Sequence, residues 1–356
     1  MTRSSARAGV VVASLCAALP LAVPPADAVA VVSPPLVSGL AGPLQLALGS
    51  DGTLYVAEDF AGQLTKVTKQ GTRSVLVATD GAEVAGVDAR GQGTLVWTTS
   101  AGASEESSAT SSALMRALPN GRTSQVADLF QYEQQHNPDS MNSYGFSGVS
   151  AECKASLPPF IPNGGDPYAG QLDTHPYSVV TVPGGWVVGD AAGNDLLKVG
   201  ANGSVSTLAV LPGQPVVISE EAAGELGLPE CAVGATYTAE PVPTDVELGP
   251  DGMLYVSTLA GDPAPGSVYR VNPSTGAATR LATGLVGATN LAVAPDGTVY
   301  VAELFADRVS KLVGGSAVEV ASLPQPAALE WSGGRLYASQ FALGGPDGGQ
   351  VVTITP

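Results

Sequence analysis

The 356-residue chain carries 32 acidic against 15 basic residues, a formal net charge of −17, and only 2 histidines. That balance excludes nucleic-acid binding and docking on anionic lipid, both of which need a basic face. An apolar content of 44% with 13% charged residues excludes a disordered chain and supplies a sizeable core.

Residues 1–30 hold Arg3 and Arg7, an apolar run from Gly9 to Val23, and small residues at Ala26, Ala28 and Ala30. This pattern predicts a secretory signal peptide cleaved after Ala28 or Ala30, leaving one domain over residues 31–356. No later segment reaches the ~20 apolar residues of a membrane span. The expected product is a monomer, secreted or held at the cell wall.

The mature chain then repeats a phrase: a short apolar strand, an Asp-Gly or Gly-Gly turn, and a strand rich in Tyr and Val. Copies begin at Pro43 (PLQLALGSDGTLYVAED), Glu83 (EVAGVDARGQGTLVWTT), Pro176 (PYSVVTVPGGWVVGD), Pro243 (PTDVELGPDGMLYVSTL), Thr289 (TNLAVAPDGTVYVAEL) and Pro326 (PAALEWSGGRLYASQ). Two-residue turns of this kind between apolar strands signal hairpins. Third strands follow, as at 63–67, 195–199, 268–271 and 308–312, and fourth strands at 74–78, 204–210, 278–283 and 317–322.

Four antiparallel strands repeated at roughly forty residues predict the blades of a β-propeller. The count of inner strands predicts an all-β fold of six blades. The last blade stops after its third strand at 350–354, and LVSGL at 36–40 matches LATGL at 281–285. The N-terminal strand is therefore expected to complete the last blade and close the ring.

Two excursions interrupt the repeat, 132–172 and 213–240. The first is rich in proline at Pro138, Pro158, Pro159, Pro162 and Pro167, which argues against strands and against a seventh blade. Cys153 and Cys231 fall one in each, and an oxidising exterior makes a bridge between them the expected state.

Insertions fall on the face where inner strands begin, taken as the top, while the Asp-Gly turns lie on the other and read as turn chemistry. Aligned ends of second strands offer Glu58, Asp190 and Glu303. Asn194 and Asp307 follow four residues later, and inner strands add His175, Asp245 and Asn290. These form an expected acidic rim whose oxygens suit calcium, with Asp190, Asn194, Asp245, Asn290 and Glu303 as metal candidates and His175 as a candidate general base. The competing expectation is that such side chains cap strand ends.

A basic recurrence, Lys66, Arg116, Lys198, Arg270 and Lys311, occupies one place in five third strands and predicts internal pairing with acids. No GxSxG, HExxH, P-loop or dinucleotide motif is present.

The segments HPYSVVTVPGGWVVGDAAGNDLLKV, EPVPTDVELGPDGMLYVSTLAG and GATNLAVAPDGTVYVAELFADRVSKL, with HNPDS from His136 and PEC from Pro229, resemble the ScyD/ScyE family of secreted propeller proteins. That resemblance implies a propeller related to NHL-repeat and gluconolactonase-like folds, with no catalytic residue to carry over. Gluconolactonase-like enzymes bind a divalent cation in the channel through an early Glu, where this chain has Gln45. The leading expectation is a non-catalytic binding or accessory module that recognises a ligand or protein with its top face. The alternative is a calcium-dependent lactonase or other hydrolase.

Overall fold

The computed structural model describes residues 30–89, 95–102, 108–118 and 121–356. The expected signal peptide, apart from Ala30, lies outside them. The described chain is nearly all β, arranged as seven antiparallel sheets, with a few short helices.

Six sheets arise from the repeated phrase. Their first strands are Pro43–Leu48, Glu83–Asp88, Pro176–Val182, Pro243–Leu248, Ala288–Val293 and Leu329–Ser332. Each successive first strand packs beside the next in this order, and Leu329–Ser332 packs beside Pro43–Leu48. In the sixth sheet the strand Gly349–Thr355 pairs with both Val31–Val32 and Val37–Leu40.

The turns behave as their residues demand. Asp51, Asp251 and Asp296 each accept a hydrogen bond from the backbone N–H two residues on, at 2.9, 3.1 and 2.9 Å. The glycines that follow sit at φ of 73 to 88°, a conformation that disfavours any side chain.

Period-2 apolar positions fill a core between each adjacent pair of these sheets. Trp97 with Leu64 and Val84 lies between the first and second, and Trp186 with Leu114 and Val179 between the second and third. Val37 and Leu40 pack with Leu46, Val56 and Val351 where the sixth meets the first. Each such fully buried aliphatic side chain contributes about 1.5–3 kcal/mol.

The seventh sheet corrects the reading of the excursions as strandless. Tyr168–Ala169 pairs with Ser143–Ser147 of the first excursion, which pairs with Thr236–Ala239 of the second, which pairs with Gln214–Val217, so the central pairing joins segments some 90 residues apart. The prolines that argued against strands fall outside them: Pro138 precedes Ser143–Ser147, the other four lie between it and Tyr168–Ala169, and Pro215 of the second excursion occupies an edge strand, where a missing donor is tolerated. Phe146, Ile161, Ile218, Leu228 and Tyr237 give this sheet its own core. The Cys153–Cys231 disulfide joins the two excursions with a Cα–Cα distance of 5.8 Å. Among the described residues no helix is long and apolar enough to cross a membrane.

Candidate functional site

Within each repeat, the start of the first strand faces the end of the second, as Pro43 faces Glu58 and Ala288 faces Glu303. The excursions join sheets at this same end. The residues expected to form an acidic rim lie here, but Glu58, Asp190, Asn194, Asp245, Asn290 and Glu303 are buried and separately engaged.

Glu58 and Glu303 do equivalent work. Glu58 accepts the Ala41 N–H at 2.8 Å, Gln63 Nε2 at 3.0 Å and the Thr65 hydroxyl. Glu303 accepts the Val286 N–H at 3.0 Å, Arg308 Nε and Nη2 at 2.8 and 2.9 Å, and Ser310 Oγ at 2.5 Å. Burial pushes the Glu303 carboxyl upward, but Arg308, Ser310 and the Val286 N–H outweigh it and hold it below the usual range. Each carboxylate ties the approach to an inner strand to the third strand of its own sheet.

Asp190 accepts the Thr174 hydroxyl at 2.5 Å and the His175 and Gly193 N–H groups at 2.6 and 3.0 Å. Asn194, left-handed at φ 55°, accepts the Val242 N–H at 3.1 Å, and Asp307, at φ 50°, accepts the Gln325 N–H at 2.7 Å. The first bond reaches the residue just before the fourth sheet's first strand, and the second reaches the approach to the sixth sheet's first strand. They fasten neighbouring sheets.

Asp245 and Asn290 sit inside inner strands. Asp245 Oδ2 accepts the Leu291 N–H at 3.1 Å and Asn290 Oδ1 the Leu329 N–H at 2.7 Å, each one sheet ahead. Gln45 crosses between them, accepting from Asn290 Nδ2 at 2.8 Å and donating to the Thr244 carbonyl at 3.0 Å. The residue that replaces the expected early Glu thus joins the first sheet to the fourth and fifth. Among the described residues, no three His, Cys, Asp or Glu side chains stand grouped as a ready metal site.

Of the recurrent basic residues, Arg270 grips Asp251 Oδ2 at 3.0 and 2.7 Å, while Arg116 donates to Ser124 Oγ at 3.1 Å.

His175, unlike the buried acids of the rim, keeps a half-open side chain. Its Nε2 lies 2.7 Å from Glu83 Oε2, and its ring meets Tyr177 edge-on at 5.6 Å. The His175 hydrogen bond holds Glu83 low, and Glu83, overcoming burial, holds His175 high. Beside them Asp59, 8% exposed, is pushed up to about 7 by burial and by Glu83, with His175 opposing. A hollow of about 310 Å³ opens here, lined by Asp59, Phe60, Thr79, Gly81 and Glu83. Neither Asp59 nor Glu83 stood out in the sequence, because each is one acid in a repeat full of acids.

A second cavity of about 330 Å³ lies between the seventh sheet and the fourth. Its walls are Phe146, Phe160, Ile161, Leu226, Leu228 and Val242, and its polar side chains are Tyr168, Tyr237, Glu240 and, exposed at the edge, Asp262. Tyr168 donates to Glu240 Oε1 at 2.9 Å, and Asn194 Nδ2 donates to Glu240 Oε2 at 3.2 Å. An apolar wall with a few convergent polar groups is the usual composition of a small-ligand site.

Several buried acids behind this cavity are held high. Glu133 is raised to about 8 by burial and then by Asp190, Asp139 and Asp173. An acid whose folded pKa is raised stabilises the fold fully below its unfolded pKa, and that stability is lost as pH rises through the folded value. Glu133 and Asp59 therefore place the loss between about pH 4 and 8, while Glu83 and Glu303, held low, lose theirs below about pH 4.5. In EDTA-containing buffer the thermal midpoint should peak near about pH 5 and fall steadily toward pH 8.5. A midpoint that rises over that range would contradict the protonated state assigned to these acids.

The sequence matches no protein-family model and no curated protein. Among solved structures it resembles the PQQ-bound aldose sugar dehydrogenase of Streptomyces coelicolor at 11% identity, with a TM-score of 0.59 over 92% of this chain and 97% of that one. It also resembles a gluconolactonase from Xanthomonas campestris at 12% identity, with a TM-score of 0.55 over 90% of this chain and 88% of that one. The chain thus shares the fold of these structures, and the cyclic order of its sheets is that of a β-propeller.

Proposed function

We propose that the protein is a secreted six-bladed propeller of the ScyD/ScyE kind, closed by its N-terminal strands, that binds a small amphipathic ligand in the cavity between the seventh sheet and the fourth. Six inter-sheet cores in cyclic order support the blade count, and the seventh sheet is an accessory built on the ring. The observation that carries the function is the cavity itself: an apolar wall ending at Glu240 and two tyrosine hydroxyls, with Asp262 at its exposed edge. It suits an aromatic or aliphatic body bearing a hydrogen-bond donor or an amine.

The rim acids support a non-catalytic role, because their oxygens are committed to holding the fold. The test uses a series of arylalkylamines beginning with 2-phenylethylamine, followed by titration calorimetry. Affinity should rise with apolar length and fall about tenfold in Glu240→Gln, the worth of one charge-assisted hydrogen bond. Equal affinity in wild type and Glu240→Gln would remove this cavity as the site.

The His175–Glu83–Asp59 group favours a second reading, a hydrolase acting on lactones beside the 310 Å³ hollow that Asp59 and Glu83 line, with His175, paired to Glu83, as general base. Hydrolysis of a δ-lactone by purified protein, abolished in His175→Gln with the thermal midpoint unchanged, would establish it over the first.

A further inference from the structure

Two sequence stretches that stand apart from the generic repeat, HNPDS at 136–140 and AGND at 192–195, meet in the fold. Asn194 Nδ2 donates to Asp139 Oδ2 at 2.9 Å. Next to this contact the repeat breaks its own rule. In the first and fifth sheets the acid ending the second strand faces a donor, Glu58 opposite Gln63 and Glu303 opposite Arg308. In the third sheet Asp190 instead faces Asp195.

Like charges directly opposite one another across a strand pair are destabilising, and burial deepens the cost. Asp190 and Asp195 are each 1% exposed. Neither Oδ1 nor Oδ2 of Asp195 has a hydrogen-bond partner. The first excursion adds Glu133, on the helix Leu129–His136, and Asp139, at 3% and 1% exposure. Glu133 Oε1, Asp139 Oδ1 and the neighbouring Asn137 Oδ1 are also buried without partners. Asp190, Glu133 and Asp139 are the charges that act on Asp195. Gly170 makes room for the Asp139 carboxylate, which lies where a Cβ at 170 would stand.

Three of these four buried carboxylates, Asp195, Glu133 and Asp139, carry orphaned oxygens, and beside the hydrogen-bonded Asp190 they need protons or a cation. We propose that Asp190, Asp195, Glu133 and Asp139, with Asn137 Oδ1 as a neutral ligand, bind one hard divalent cation of the calcium class. Several carboxylate and amide oxygens are the donor set such an ion takes. As arranged, the acids do not enclose an ion. Glu133 and Asp139 ride on the excursion, and ion binding would turn their orphaned oxygens, Glu133 Oε1 and Asp139 Oδ1, toward Asp195. The cation replaces the donor that Gln63 and Arg308 supply elsewhere and pins the excursion to the third sheet. The two sites adjoin through Asn194 Nδ2, which donates to both Asp139 and Glu240, but none of these carboxylates lines the amine cavity, so each test reads its own site.

The test is calorimetric titration of EDTA-treated full chain with calcium chloride at pH 7.5, beside thermal denaturation with and without 5 mM calcium. One calcium per chain is expected, with a dissociation constant on the order of 10⁻⁴ M. The midpoint should rise by about 3–5 °C with calcium. Asp195→Asn and Glu133→Gln should each weaken binding by about tenfold or more, and Glu133→Gln decides if Asp195→Asn does not fold. Absence of both binding heat and a midpoint shift in wild type overturns the proposal and leaves protons alone as the neutralising species. Binding of equal strength in wild type and variant also overturns it, by placing the ion elsewhere.

Discussion

Deleting residues 30–40 should lower the thermal midpoint by on the order of 10 °C and make the protein self-associate. Val37 and Leu40, 8% and 3% exposed, belong to the core between the sixth sheet and the first. Removing two such side chains costs about 2–3 kcal/mol each. The Leu36 and Ser33 N–H groups also donate to the Val351 and Thr353 carbonyls at 2.7 and 2.8 Å. Without them Gly349–Thr355 becomes an unpaired edge, a template for another chain. Differential scanning calorimetry and light scattering on the truncated protein would measure both effects. An unchanged midpoint with a monomeric mass would mean that the N-terminal strands do not close the ring.

Glu303→Ala should destabilise the protein by about 3 kcal/mol, seen in urea as a lower midpoint with an unchanged slope. The substitution strands the Val286 N–H, the Ser310 hydroxyl and the Arg308 guanidinium around a fully buried position. Glu303→Gln keeps the shape and one acceptor oxygen and should cost roughly half as much. A substrate- or metal-binding role would give the reverse profile, with stability retained and ligand affinity lost. A Glu303→Ala protein as stable as wild type would therefore return this residue to the list of site candidates.

The two carboxylates Glu58 and Glu303 show why the site was hard to read. Their recurrence at one place in the repeat is visible in the sequence, and so is their chemistry. Recurrence, however, marks what every blade needs, which is a tie between strands. The informative residue is the one that breaks the pattern: Asp195, where Gln63 and Arg308 set the rule. That break is legible by aligning QLTKV, DLLKV and RVSKL, but its meaning depends on Glu133 and Asp139. These approach from a segment about 60 residues earlier, and nothing local in the sequence brings them together.

The excursions teach the same lesson about strands. Prolines at 158, 159, 162 and 167 report correctly on the backbone they occupy and say nothing of Ser143–Ser147, whose partner Thr236–Ala239 lies far down the chain. The two cysteines were the one local sign that the excursions meet.

By itself the sequence determined the strands, the hairpin turns and the repeat, because period-2 burial and the left-handed preference of Asp-Gly turns act within a few residues. It also determined the acidity and the disulfide partners. Only the tertiary structure decided which acids are struts and which are orphaned, and that the excursions fold into a seventh sheet bounding a cavity. Hydrogen-bond satisfaction and charge proximity between distant segments depend on where the backbone carries them.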